Sequence, residues 1–139
     1  MSKIIFICTS NKDRSVSLEA YFKDVVPQHE YRSAGVNTYF CTKKDTHLIN
    51  EEDIRWADVF VFAEQIHQKV VSERFHANVV RQSVLSCYDD IMFDKLSKRA
   101  KCIVLECGEY TQGCVNEDYL TKAELKLKPY ITDGSKTNL

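Results

Sequence analysis

The chain has little that would interrupt regular structure and nothing that would staple it. Only four of its 139 residues are glycine and two are proline, which excludes a collagen-like or proline-rich disordered polymer. No apolar run approaches the roughly 18 residues needed to cross a bilayer. The run Ile4-Ile5-Phe6-Ile7 is too short for a secretory leader and no small-residue cleavage site follows it, so a cytoplasmic protein is expected. A formal net charge of −1 with scattered lysines gives no basic footprint for nucleic acid and no partner membrane. The six cysteines, Cys8, Cys41, Cys87, Cys102, Cys107 and Cys114, show no paired C-x-x-C spacing. They are expected to be free thiols, most of them small hydrophobic core residues. What remains is a chain of single-domain length, able to bury roughly 70% of its unfolded surface without a metal or a disulfide.

Its hydrophobic pattern alternates between two kinds of segment. Lys3–Cys8 is a short continuous apolar run suited to a buried parallel strand, and Ser15–Val26 has helical spacing up to Pro27. Glu30–Ala34, closed by Gly35, predicts a second strand, and Thr38–Thr46 a loop. Asn50 is placed to cap a helix over Glu51–Trp56 with acidic residues in its first turn. Asp58–Ala63 predicts a third strand, Glu64–Phe75 a helix and Val79–Leu85 a fourth strand. Ser86–Asp94 is polar, Lys95–Cys107 has helical spacing although Ile103-Val104 alone suits a strand, and Thr121–Lys128 is a short helix. Strands alternating with helices imply an α/β fold, a parallel sheet covered on both faces.

The chemistry concentrates between the first strand and the first helix. Cys8-Thr9-Ser10-Asn11-Lys12-Asp13-Arg14-Ser15 reads C-x5-R-S. A loop curling into a helix N-terminus turns backbone N–H groups toward an anion, and the same field favours a thiolate over a thiol. Arg14 supplies a planar fork for two phosphoryl oxygens. The Ser15 hydroxyl can donate to the Cys8 sulfur. The crevice beyond the carboxyl ends of the strands is where open α/β sheets bind ligands. Phosphate or sulfate is therefore the expected occupant of residues 9–15.

Cys8, Asn11, Arg14, Ser15 and Glu19 together read C-x-x-N-x-x-R-S-x-x-x-E. This pattern resembles the low-molecular-weight protein tyrosine phosphatases, most closely their small bacterial and phage relatives. The resemblance continues through Arg32-Ser33-Ala34-Gly35, Glu52–Asp58, Glu64–His67 and Tyr88-Asp89-Asp90. It implies a three-layer sandwich around a four-stranded parallel sheet, one domain over residues 1–139, and an extension from about residue 108 without a family counterpart. It also implies a phosphatase that needs no cofactor and no metal, acting on a phosphotyrosine protein or a small phosphomonoester. By position, Cys8 is the nucleophile, Arg14 the phosphate clamp, Asn11 the support of the loop backbone, and Asp89 the general acid. Asp90 and Asp94 are the alternative acids.

Three residues depart from that pattern. Val16 stands where proline is usual, Asp13 places a carboxylate inside the anion loop, and Asp90 replaces the proline after the acid. Tyr39 and Phe40, with Tyr88 and Met92, are the candidate walls of a substrate slot. Two other functions share the loop. A thioredoxin-linked arsenate reductase would need a cysteine relay, for which Cys107 and Cys114 are the candidates. A non-catalytic module would bind a phosphorylated partner without turnover.

Overall fold

The computed structural model describes residues 1–12, 14–82, 102–105 and 117–131. Its core is β1 (Lys3–Cys8), an apolar strand flanked on both sides by parallel neighbours. On one side lies β2 (Glu30–Gly35), in a register that places Lys3 beside Glu30 and Cys8 beside Gly35. On the other lies β3 (Val59–Phe62), and beyond it the three-residue β4 (Cys102–Val104), so the sheet order is β2-β1-β3-β4. The partners Ile7↔Phe62 and Phe62↔Val104 bring the carboxyl ends of β1, β3 and β4 to one edge.

The period of two in a strand divides the apolar residues between the faces. Ile5, Ile7, Phe60 and Phe62 join one cluster with Ile54 of α3 (Glu51–Trp56) and Val71 and Phe75 of α4 (Gln65–Gln82). Ile4, Phe6, Val59 and Val61 join another with Leu18 and Phe22 of α1 (Arg14–Val25). Ala123, Leu127 and Ile131 of α5 (Glu117–Ile131) complete it. Phe6 stacks on Phe22 with ring centroids 5.5 Å apart. Each such fully buried side chain stabilises the fold by roughly 1.5–3 kcal/mol. Trp56 packs at the margin of the first cluster, with the Arg32 guanidinium 4.3 Å from its ring centroid. Among the described residues no helix is long and apolar enough to cross a membrane.

The structure revises several expected elements. Thr38–Thr46 is largely helix, α2 (Thr38–Lys44), because the Asn37 side chain accepts from the Phe40 N–H and caps it. The helix turns only Cys41 inward, too little apolar spacing to show in the sequence, and Asp45 ends it in the left-handed conformation. The strand expected at Val79–Leu85 is displaced by α4, which runs on to Gln82. No glycine or proline stops it, and β-branched valines lower helix propensity only slightly; residues 83–85 lie outside the described residues. The fourth strand is instead Cys102–Val104, inside the segment with helical spacing. Its pairing with β3 outweighs that local pattern. The C-terminal helix extends the expected Thr121–Lys128 at both ends and holds Pro129 in its last turn.

Candidate active site

The loop after β1 is built on three anchors. The first is the end of β2. The N–H groups of Val36 and Asn37 donate to the carbonyls of Cys8 and Thr9 at 2.9–3.0 Å, so the chain leaving β2 lies against the loop backbone. Gly35 is required there. A Cβ at this position would stand 2.6 Å from Cys41 Sγ and 2.8 Å from both Asn11 N and the Ser10 carbonyl carbon.

The second anchor is Asn11, at φ 55°. Asparagine enters this left-handed region more readily than most residues, and here its side chain is held at both ends. Its Oδ1 accepts from the His47 N–H at 3.1 Å, and its Nδ2 donates to Ser15 Oγ at 2.9 Å. The Thr46 hydroxyl donates to the Ser10 carbonyl nearby. His47 is itself fixed by Asp53, whose Oδ2 accepts from the ring Nε2 at 2.6 Å and from the Asn50 N–H at 3.1 Å. Asp53 also accepts from Arg32 at 3.1 Å and closes the capping box of α3.

The third anchor is the start of α1. Asn11 donates to Ser15 Oγ, which lies 3.0 Å from Cys8 Sγ and can donate its proton to that sulfur when it is a thiolate. A hydroxyl donating to sulfur favours the thiolate and stabilises it as a leaving group. Cys8 is 3% exposed, at the carboxyl end of the central strand. Arg14, also buried, donates through Nη1 to Glu64 Oε2 at 2.5 Å and through Nη2 to Thr9 Oγ1 at 3.4 Å. The bond from Arg14 holds the Glu64 carboxyl below its ordinary range, against a smaller upward push from burial. Behind the loop, Glu19 of α1 accepts from Ser33 Oγ at 2.6 Å and from Lys23 at 2.7 Å, tying α1 to β2.

Cys8, Thr9, Ser10, Asn11, Lys12, Arg14 and Ser15 are thus brought together as one loop, in which the side chains of Cys8, Asn11 and Ser15 interlock and that of Arg14 bonds Thr9. Asp13, Tyr88, Asp89, Asp90, Met92, Asp94, Cys107 and Cys114 lie outside the described residues. Tyr39 and Phe40 project from the first turn of α2, 64% and 40% exposed, with ring centroids 5.3 Å apart. Lys43 and Lys44 lie over these two rings. Their helix follows Asn37, whose N–H donates to the Thr9 carbonyl of the loop.

Motif and spacing alone give no role to Glu64 and His67, which reach the loop from the turn after β3 and the first turn of α4. His67 is 2% exposed and bonded to Thr9 Oγ1 at 2.9 Å. The available signal is their place directly beyond the carboxyl end of a buried strand, the same rule that singles out Cys8. The position of Asp53 in the first turn of a helix accounts for a carboxylate by itself, which conceals its link to the loop.

No family model matches the chain, and no curated protein is found to be similar to it. Solved structures do match. The low-molecular-weight protein tyrosine phosphatase SP-PTP of Streptococcus pyogenes superposes with a TM-score of 0.60 at 12% identity, over 99% of this chain and 95% of that one. An arginine phosphatase, YwlE, in a mutant with a phosphorylated active-site serine, gives 0.54 at 18% identity over 92% and 97%. Wzb of Vibrio vulnificus, in complex with benzylphosphonate, gives 0.55 at 12% identity over 91% and 92%. At these identities the likeness is one of fold.

Proposed function

We propose that this chain is a cysteine-dependent phosphomonoester hydrolase of the protein-tyrosine-phosphatase type. The supporting observation is the chain of contacts Asn11–Ser15–Cys8, which sets a hydroxyl 3.0 Å from a buried sulfur in the loop that ends at Arg14. In this reading the domain is the three-layer, four-stranded sandwich of that family, spanning residues 1–139 in the cytoplasm. Arg14 binds two phosphoryl oxygens and the loop of residues 9–15 binds the others. Cys8 attacks phosphorus in line, the P–O bond to the leaving group breaks, and a cysteinyl-phosphate forms. Water then cleaves the P–S bond, and Ser15 stabilises the departing thiolate.

The leaving oxygen needs a proton in the first step, and the same group takes one from water in the second. The family resemblance assigns this to Asp89. The chain leaves β4 at the edge where Cys8 lies, through Leu105, whose N–H donates to the Phe62 carbonyl at 2.9 Å. Glu106 and Glu109 follow Leu105 in the sequence and are tested beside Asp89. Comparing aryl phosphates of poor and good leaving groups separates them. The true acid is the one whose removal, in Asp89→Ala, Glu106→Gln or Glu109→Gln, slows poor leaving groups selectively.

The deciding assay is hydrolysis of p-nitrophenyl phosphate between pH 5 and 7, expected in the wild type and abolished in Cys8→Ser. Absence of turnover in the wild type would leave the non-catalytic binding reading. A panel of phosphotyrosine peptides, phosphoarginine peptides, nucleotides and sugar phosphates then identifies the substrate class.

A further inference from the structure

We propose that His67 is a positioning residue, which turns the Thr9 hydroxyl so that its proton faces the phosphoryl group bound by Arg14. The inference rests on the phosphate-binding part of the reading above and adds the group that orients the loop's first hydroxyl.

The geometry leaves one arrangement of protons. His67 Nδ1 lies 3.1 Å from the Glu64 backbone nitrogen, an N–H that can only donate, so Nδ1 must accept. A neutral ring then carries its proton on Nε2, and that N–H donates to Thr9 Oγ1 at 2.9 Å. A protonated ring would set two N–H groups against each other. Burial and the nearby Arg14 charge act in the same direction, holding the His67 pKa down to about 4, while Glu64 opposes them weakly.

Thr9 Oγ1 also accepts from Arg14 Nη2 at 3.4 Å. A hydroxyl oxygen has two lone pairs and one proton. With both lone pairs facing donors, only the proton remains, and no acceptor for it exists among the described residues. The Arg14 fork, held by Glu64 on one nitrogen and by Thr9 on the other, marks where an oxyanion sits. The Thr9 proton is thus a fixed donor to that oxyanion. Without His67, the hydroxyl would rotate and could spend its proton elsewhere. Glu64, in the turn just before α4, and His67, in its first turn, set the guanidinium and the hydroxyl respectively.

The test is calorimetric titration of inorganic phosphate into wild type, His67→Leu, His67→Gln, Thr9→Val, Thr9→Ser and the His67→Leu/Thr9→Val double variant. Thermal unfolding is recorded for each. A hydrogen bond to a charged group implies a loss of roughly tenfold or more in phosphate affinity for His67→Leu and for Thr9→Val. The double variant should bind no more weakly than either single one, because both remove the same donor. His67→Gln and Thr9→Ser, which keep an N–H and an O–H, should restore most of the affinity. A folded His67→Leu with wild-type affinity overturns the proposal, as do additive losses in the double variant. Where His67→Leu does not fold, the Thr9 pair decides, and equal binding by Thr9→Val and wild type overturns it. The readout needs no turnover: wild type that binds phosphate without hydrolysing esters defeats the hydrolase reading alone, and wild type that binds none defeats this one.

Discussion

Acidification should destabilise the protein through His67 in a way that one substitution removes. In the unfolded chain this imidazole takes up a proton near its ordinary value of 6.5, but in the folded protein only near pH 4. Between those values the unfolded state binds more protons, so stability rises with pH. The contribution is fully present above about pH 6.5 and is lost as pH falls toward 4. A tenfold difference in proton affinity between the two states corresponds to roughly 1.4 kcal/mol, so lowering the pH from 7 to 4.5 removes roughly 2–3 kcal/mol. The charged groups facing the ring are Arg14, which adds to the effect, and Glu64, which opposes it. The depressed Glu64 carboxyl loses its own contribution mainly below its ordinary value of 4.5, outside this window. The assay is urea unfolding of wild type and His67→Gln at pH 7 and 4.5. Groups common to both proteins cancel in the difference, and the wild type should lose about 2–3 kcal/mol more than the variant. Equal losses would refute the assignment of a buried neutral imidazole and the proton arrangement deduced from it.

Gly35→Ala should distort the loop rather than merely loosen the sheet, since two of the three close contacts of the added methyl are backbone atoms of Ser10 and Asn11. Overpacking of this kind costs about 1–3 kcal/mol, and phosphate titration should show a loss of at least roughly tenfold, which relieving the third contact by Cys41→Ala fails to restore. Asp53→Ala should cost about 1–2 kcal/mol in urea unfolding, because it removes the acceptor of the Asn50 N–H in the α3 capping box and the carboxylate that Arg32 and His47 share. The same variant should weaken phosphate binding through His47 and Asn11, although Asp53 touches no loop atom in any described bond; unchanged affinity would show the support to be local.

The strand–loop–helix unit is legible in the sequence because its signals are short-ranged. The continuous apolar run of β1, the polar C-x5-R-S segment and the helical spacing after it are all contiguous in the chain, and the structure reproduces β1 at the expected bounds. The same holds for α3, whose capping box is written in Asn50 and Asp53. Elements decided by distant partners differ from the local expectation. Helix α2 depends on a single cap and one inward cysteine, and β4 is three residues stabilised by pairing with β3 across a long stretch of chain. Val79 and Val80 favour a strand locally, yet they continue a helix already propagating from Gln65.

The site divides along the same line. The amino-acid order by itself put Cys8, Arg14 and Ser15 in one loop, because a loop between adjacent elements keeps its residues together in any fold that contains it. Only the tertiary structure decided what holds that loop in shape. Gly35, His47, Asp53, Glu64 and His67 come from β2, the α2–α3 connection, α3, the turn after β3 and the first turn of α4, and they meet the loop because parallel strands deliver their carboxyl ends to one edge. The bonds that reach the loop, His67 to Thr9, Arg14 to Glu64 and His47 to Asn11, span 58, 50 and 36 residues, and a hydrogen bond of that range leaves no periodicity in the sequence to read.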